Sequence, residues 1–273
     1  MPLIVFHDKS IAFVGALDTV ESHRHAAPAV VVGLDADIHF EAAGGPPVTA
    51  RGAFIAPGAR HALRVGRQTA LVVYLEPGSD WARAVIRACG ASPLAAIHRA
   101  EPWMMLAQVL SASSGNNTAC LAALSVALDA MLCTATQETY DSRIARVLAS
   151  CRRGGAEDES RMAAQLCLSG SRLRHLFVSD TGTTLSRYRL WCRMRRAVLG
   201  AMVGMSMTEA AIESGFFDSA HFSRSFKDMF GVSPSMILAD PSLQVIASDD
   251  RAAVLQATTR LSSFTPSFAC VAP

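Results

Sequence analysis

Two short runs hold the side chains best suited to gripping a polyanion. Ser171, Arg174 and His175 stand in SGSRLRHLF, and Ala220, Ser223, Arg224 and Lys227 stand in DSAHFSRSFKDMF. The second set recurs at i, i+3, i+4, i+7, so both sets fall on one face of a helix. These faces are small, hydroxylic or basic, and neither carries an acid at its centre. Short side chains let a backbone approach a groove wall, and arginine can meet a guanine edge with two hydrogen bonds. The chemistry indicated is reading of duplex DNA. No nucleophile elbow, phosphate loop, H-E-x-x-H or paired-carboxylate arrangement is present, so an enzyme is not expected.

The elements that position these residues occur twice. Displaced by 49 positions, Leu168-Ser169 falls on Phe217-Asp218, Leu173 on Phe222, Phe177 on Phe226, Gly182 on Gly231, Thr184 on Ser233 and Ser186 on Ser235. Ser169 and Asp218 suit a helix N-cap, where a short side-chain oxygen accepts from free first-turn amides. Leu168 with Leu173, and Phe217 with Phe222, have the spacing of a hydrophobic staple. Gly182 and Gly231 can supply the left-handed residue that ends a helix. A short helix precedes each unit: RMAAQLC, and MTEAAIESG, the latter opened by a Ser206-x-x-Glu209 capping box. Ala163-Ala164 and Ala210-Ala211 allow close helix approach. The layout is two helix-turn-helix units, about 159–182 and 207–231. Leu173, Leu176, Phe177, Phe222, Phe226 and Met229 form the apolar stripes, and the phenylalanines of GFFDSAHFSRSFKDMFG are expected inside. The joining segment TTLSRYRLWCRMRRAVLGAM reads as one helix of about 30 Å, and its Arg193, Arg195 and Arg196 as solubilising charge. Arg224 has an alternative use, an ion pair with Asp228 at i+4.

Composition agrees. The chain has 273 residues, 51% of them hydrophobic, enough for two compact units. Residues 1–140 hold nine Lys/Arg against eleven Asp/Glu, and 141–240 fourteen against ten, so net charge moves from −2 to +4. The second half is the one expected to meet DNA. Seven cysteines, Cys89, Cys120, Cys133, Cys151, Cys167, Cys192 and Cys270, form no C-x-x-C pair, which points to reduced thiols and a cytoplasmic setting. MPLIVFHDKS shows no secretory pattern, and no apolar run is long enough to span a membrane.

From Ile144 to Leu238 the chain resembles the DNA-binding domain of AraC/XylS-type transcription regulators. AAIESGFFDSAHFSRSFKDMFGVSPS is very close to that family's signature, and MAAQLCLSGSRLRHLFVSDTGTTLSRYRLWCRMRRA follows its looser pattern. The resemblance implies promoter DNA and RNA polymerase as partners and a homodimer, with activator and repressor both open as its role. Carried over by position, Ser171, Arg172, Arg174 and His175 face DNA from the first unit, with Arg172 near the backbone. The second unit offers Ser219, Ala220 and Arg224 to bases, with Ser223, Arg224 and Lys227 on phosphate. Ala220 can offer only a contact to a thymine methyl.

The opening third differs. IAFVGAL, PAVVVGL, DIHFEA, GAFIAPG, HALRV and TALVVYLEP read as short strands of a compact barrel or sandwich. ESHRHAAP and GAFIAPGARHAL resemble the two motifs of a cupin barrel. That resemblance implies a metal held by three imidazoles and a carboxylate, making His23, His25 and His61 a candidate cluster. Ala29, Val30 and Val31 stand where the carboxylate belongs, so no metal or cofactor is expected, with the three histidines kept as an alternative ligand set. The AraC resemblance favours a small-molecule effector pocket lined by His23, His25, Arg51 and His61. The expected fold is α+β: a cupin-like sensing barrel over 1–78, dimerising or linking helices over 79–139, an all-α double helix-turn-helix domain over 140–240, and a loosely ordered tail over 241–273. A cupin-type metal-dependent enzyme with a helical appendage is the competing reading.

Overall fold

The structure, a computed structural model, describes residues 1–132, 141–155 and 158–247. Strands β1 (Leu3–His7), β2 (Ser10–His23), β3 (Ala29–Gly33), β4 (Ile38–Ala42), β5 (Val48–Ala50), β6 (Gly52–Ile55) and β7 (His61–Leu75) come first. Helix α1 (Asp80–Cys89), strand β8 (Leu94–Ala96), and helices α2 (Glu101–Ala112) and α3 (Asn117–Leu132) follow. Seven helices then run in succession: α4 (Ser142–Arg152), α5 (Glu159–Gln165), α6 (Gly170–Thr181), α7 (Leu185–Met202), α8 (Met207–Glu213), α9 (Ser219–Phe230) and α10 (Pro234–Leu238). Strand β9 (Gln244–Ala247) comes last.

The sheet runs β8-β6-β3-β7-β2-β1-β9, with β4 bridging β7 and β5. HALRV and TALVVYL are one 15-residue strand, β7, rather than two. Its far half pairs with β3 through Ala70–Tyr74 and its near half with β4 through His61–Arg64, so it bends round the barrel wall. Register shifts in the β2–β7 ladder after Leu17 and Val20 mark the bends. The VVV and LVV runs lack alternation because both faces are covered. Ile4, Phe6, Val31 and Val72 point into the barrel, while their neighbours Leu3, Val5, Val30, Val32, Leu71 and Val73 pack beneath α1, α2 and α3. Those helices are pinned by Trp81 Nε1, which donates to Asp129 at 2.8 Å, and by a 3.0 Å hydrogen bond between Ser125 and His7.

Besides the short strands β5 and β8, two parts of the sheet escaped the sequence reading. LIVFH forms β1, and QVIA from the tail expected to be loose pairs parallel to it, Leu3 opposite Gln244 through Phe6 opposite Ala247, with Ile246 buried. Four tail residues thus close the sheet edge. The rest of the tail, 248–273, lies outside the described residues, as does 133–140 of the proposed linker.

The helical half does not form a separate core. Barrel residues Phe6, Phe13, Val31 and Val72 and helical residues Trp191, Met194, Phe226 and Met229 belong to one continuous apolar cluster. At its edge sits Glu76, only 3% exposed. Its carboxylate accepts from Tyr188 Oη at 2.6 Å and Trp191 Nε1 at 3.0 Å, and pairs with Arg195 at 3.7 Å. All three partners lie on α7. Arg195 also donates to the His7 carbonyl at 2.8 Å, Arg196 reaches the Cys151 carbonyl, and Arg193 reaches the Gly215 carbonyl at 3.0 Å and stacks over Phe216. The arginine run is therefore a set of internal fasteners, not surface charge.

The two C-capping glycines meet the barrel as well. A β-carbon on Gly231 would lie 2.5 Å from Val20 and 2.6 Å from the Glu21 carbonyl, and one on Gly182 would lie 2.8 Å from Pro57. Glu21 and Arg24 donate backbone N–H groups to the carbonyls of Gly231 and Asp228, both at 3.2 Å, satisfying the open end of α9.

Removing the Glu76 carboxylate strands a half-buried arginine, an indole N–H and a phenol. Glu76→Ala should lose about 3–5 kcal/mol in denaturant titration, against about 1 kcal/mol for Tyr188→Phe. Gly231→Ala should destabilise clearly more than Gly204→Ala. Both positions have positive φ, but the space around Gly204 is open, so the difference isolates the docking of α9.

Candidate nucleic-acid interface and barrel cavity

Both helix-turn-helix units are built as the repeat predicts. The Ser169 side chain accepts from the Arg172 amide and that of Asp218 from the His221 amide, while Gly182 and Gly231 close their helices at φ 70° and 73°. Ser206 and Glu209 form the complete capping box on α8. Leu173, Phe177, Phe222, Phe226 and Met229 are buried. With their C-terminal glycines against the barrel, α6 and α9 turn their N-terminal ends away from it.

Phe217 corrects the staple. It is 87% exposed, and the anchor is its neighbour Phe216, whose ring meets Phe222 at 5.3 Å and His221 at 5.5 Å. Two adjacent phenylalanines cannot both enter the same gap, and Gly215 at φ 86° sets the turn that chooses the first.

Ser171, Arg172, Arg174 and His175 are exposed on α6, and Ala220, Arg224 and Lys227 on α9, with Ser219 and Ser223 half-buried. Three of these already have partners. Arg174 donates to Glu159 on the preceding helix at 2.6 Å, Lys227 pairs with Glu21 of the barrel at 3.0 Å, and the Ser223 hydroxyl folds back onto the Ser219 carbonyl. Among the described residues Arg172 and Arg224 form no ion pair, so the Arg224–Asp228 alternative is not realised.

The second candidate site lies inside the barrel. An apolar cavity of about 90 Å³ is walled by Phe6, Phe13, Val31, Val72 and Tyr74 on one side, and by Trp191, Met194, Phe226, Phe230, Ile237 and Leu238 of α7, α9 and α10 on the other. His23, His25 and His61 stand at its edge, as the sequence reading grouped them. Arg51 does not join them: it faces Asp37 at 3.9 Å and is absent from the wall. The cation that lines the cavity is Arg195, which carried no sequence signal because it looked like helix surface.

The three histidines are buried, and their ring centroids lie 4.2 to 5.7 Å apart. Each Nδ1 hydrogen-bonds a nearby backbone carbonyl: His23 to Glu21 at 2.8 Å, His25 to Ala27 at 2.5 Å, His61 to Ala59 at 2.9 Å. Those bonds fix the tautomer with the proton on Nδ1 and the lone pair on Nε2. Burial, reinforced by the neighbouring imidazoles, holds the His25 pKa well below its usual value and that of His61 down to about 3. Burial lowers His23 also. The rings are therefore neutral near pH 7. His61 Nε2 is buried without a hydrogen-bond partner, which costs about 1–3 kcal/mol unless something fills the site.

Known proteins share parts of this architecture. The helix-turn-helix domain family matches residues 162–239. The uncharacterized HTH-type transcriptional regulator YidL of Escherichia coli is 44% identical over 78 residues, covering 28% of this chain and 26% of YidL. The Msm operon regulatory protein of Streptococcus mutans is 32% identical over 99 residues, 36% of this chain and 35% of that one. The matches thus span about a third or less of those curated relatives. Crystal structures of ToxT from Vibrio cholerae extend the likeness in fold. An apo variant shares 12% identity at a TM-score of 0.59, covering 86% of this chain and 98% of ToxT. Wild-type ToxT with a bound unsaturated fatty acid gives 11% and 0.54, over 85% and 96%. Among the described residues no helix is long and apolar enough to cross a membrane. Residues 162–239 thus carry the helix-turn-helix domain, and most of the chain shares the fold of ToxT.

Proposed function

We propose that this chain is a sequence-specific DNA-binding transcription regulator that reads promoter DNA through α6 and α9. The observation that carries the reading is the division of each of these helices. Aromatic and leucine side chains are sealed in the core, and Ser171, Arg172, Arg174, His175 and Arg224 stand in solvent. Arg172 and Arg224 are the cations free to bind at once. Arg174 must exchange Glu159 for a base edge or a phosphate, an exposed ion pair that is worth little in water. Lys227, held by Glu21, contributes only if the barrel lets go of α9.

The cavity supports response to an apolar effector. ToxT has been crystallised with an unsaturated fatty acid, and the cavity here is walled almost wholly by hydrocarbon and aromatic side chains. At about 90 Å³ it is smaller than the ~150 Å³ that accommodates benzene. A larger effector must therefore push back α7, α9 or α10, the walls that carry the DNA face. Binding and helix position are then linked, because the effector prefers one arrangement of the two halves. The division follows: 1–78 sensing, 79–139 dimerising, 140–240 reading DNA. Exposed Met105, Val109 and Val126 on α2 and α3 support the dimer surface. RNA polymerase at the promoter and a cytoplasmic location complete the reading.

On duplex DNA enriched by rounds of selection with the full chain, fluorescence anisotropy should give binding that weakens steeply with salt. Arg224→Ala and Arg172→Ala should each cost about 1–3 kcal/mol of affinity with an unchanged melting temperature. Unchanged affinity in both variants would end the proposal. Titration with an unsaturated fatty acid should alter Trp191 emission and shift DNA affinity. Val31→Phe, which fills the cavity, should remove both effects while DNA binding in the absence of ligand persists.

A further inference from the structure

The two helix-turn-helix units differ by one residue once their turns are aligned by hydrogen bonding. In the first, the Leu168 amide donates to the Ala163 carbonyl at 2.9 Å; in the second, the Phe216 amide donates to the Ala211 carbonyl at 3.0 Å. Each bond closes a turn whose preceding residue is left-handed, Cys167 at φ 55° and Gly215 at φ 86°. Leu168 and Phe216 are thus equivalent anchors, and both pack in the core cluster. In the first unit the N-cap, Ser169, follows its anchor directly. In the second, Phe217 is interposed before the N-cap, Asp218. The interposed residue takes no part in packing: at 87% it is the most exposed large apolar side chain among the described residues.

A phenylalanine left in water does nothing for the fold, but this one stands at the entry to α9, the end turned away from the barrel. The exposed row of Ala220, Arg224 and Lys227 begins three residues after it. Neither Phe217 nor Ala220 can bond a phosphate or a polar base edge. What an apolar side chain gains in the major groove is contact with the 5-methyl group of thymine. We propose that Phe217 and Ala220 together select thymine in the half of the operator met by α9, closing over its 5-methyl group and removing it from water. The first unit has no counterpart, because Leu168 is half-buried as the anchor and the exposed residues that follow it are Ser171, Arg172, Arg174 and His175. Hydrogen bonding then dominates under α6, and hydrocarbon contact is added under α9. The inference rests on α9 entering the groove as proposed above.

The test uses the full chain and a duplex that it selects, the α9 half being the part whose contacts vanish in Arg224→Ala. Each thymine there is replaced singly by deoxyuridine, which removes the 5-methyl group and nothing else, and affinity is read by fluorescence anisotropy. In the parent, loss of the contacted methyl should weaken binding about fourfold, the worth of one buried methyl group. Phe217→Ala should weaken binding to the thymine duplex by a similar factor and cut the deoxyuridine penalty to less than about twofold, the mark of direct coupling. Because the ring is exposed, this variant should keep the parent's melting temperature. Deoxyuridine under α6 should cost the same in parent and variant. A selected α9 half without thymine, deoxyuridine tolerated throughout it, or an equal deoxyuridine penalty in parent and Phe217→Ala would each overturn the inference while leaving α9 a DNA reader. A Phe217→Ala chain that binds DNA as the parent does but transcribes less in vitro would assign the ring to a protein partner, and overturn it too. Absence of DNA binding, or binding indifferent to Arg224→Ala, would overturn both this inference and the reading beneath it.

Discussion

A single buried carboxylate joins the two halves of this protein. Glu76 leaves the end of β7 and receives a phenol, an indole N–H and a guanidinium from successive turns of α7. An ionised carboxylate removed from water is tolerated only when its lone pairs are occupied. Here the occupants all come from the helix that links the two helix-turn-helix units. The apolar cluster around it then becomes common property: barrel strands supply one wall and α7, α9 and α10 the other. The position of the helix-turn-helix units is in this way a consequence of barrel packing, and the cavity lies on the seam.

That construction explains which features were legible beforehand. Helix ends are local matters, governed by one side chain and the next three amides, so Ser169, Asp218, Ser206 and both C-capping glycines could be read from spacing alone. The apolar stripes of α6 and α9 were equally plain, because periodicity carries them. Phe217 failed because periodicity cannot separate adjacent rings at a turn; only the left-handed Gly215 decides that Phe216 goes inside and Phe217 out.

The remaining surprises are long-range contacts. Glu76 lies just past the end of β7, and its partners are more than a hundred residues away. Arg195 read as helix surface until the barrel was laid against it. QVIA, in a Ser- and Ala-rich tail, becomes a strand only because β1 offers it an open edge. Arg51 was grouped with the histidines as an effector contact, yet points to Asp37. The histidines themselves were found from their motifs, but their lone-pair geometry was invisible without the three backbone carbonyls that set it.

In the proposed function both units read DNA, and the barrel holds both by the C-terminal glycines of α6 and α9. The most direct test is methylation interference on duplex DNA selected by the full chain. Two clusters of interfering guanines, one helical turn or about 10 base pairs apart on the same face, are predicted, the α9 cluster vanishing in Arg224→Ala. A single cluster, or interference spread evenly along the duplex, would contradict the account.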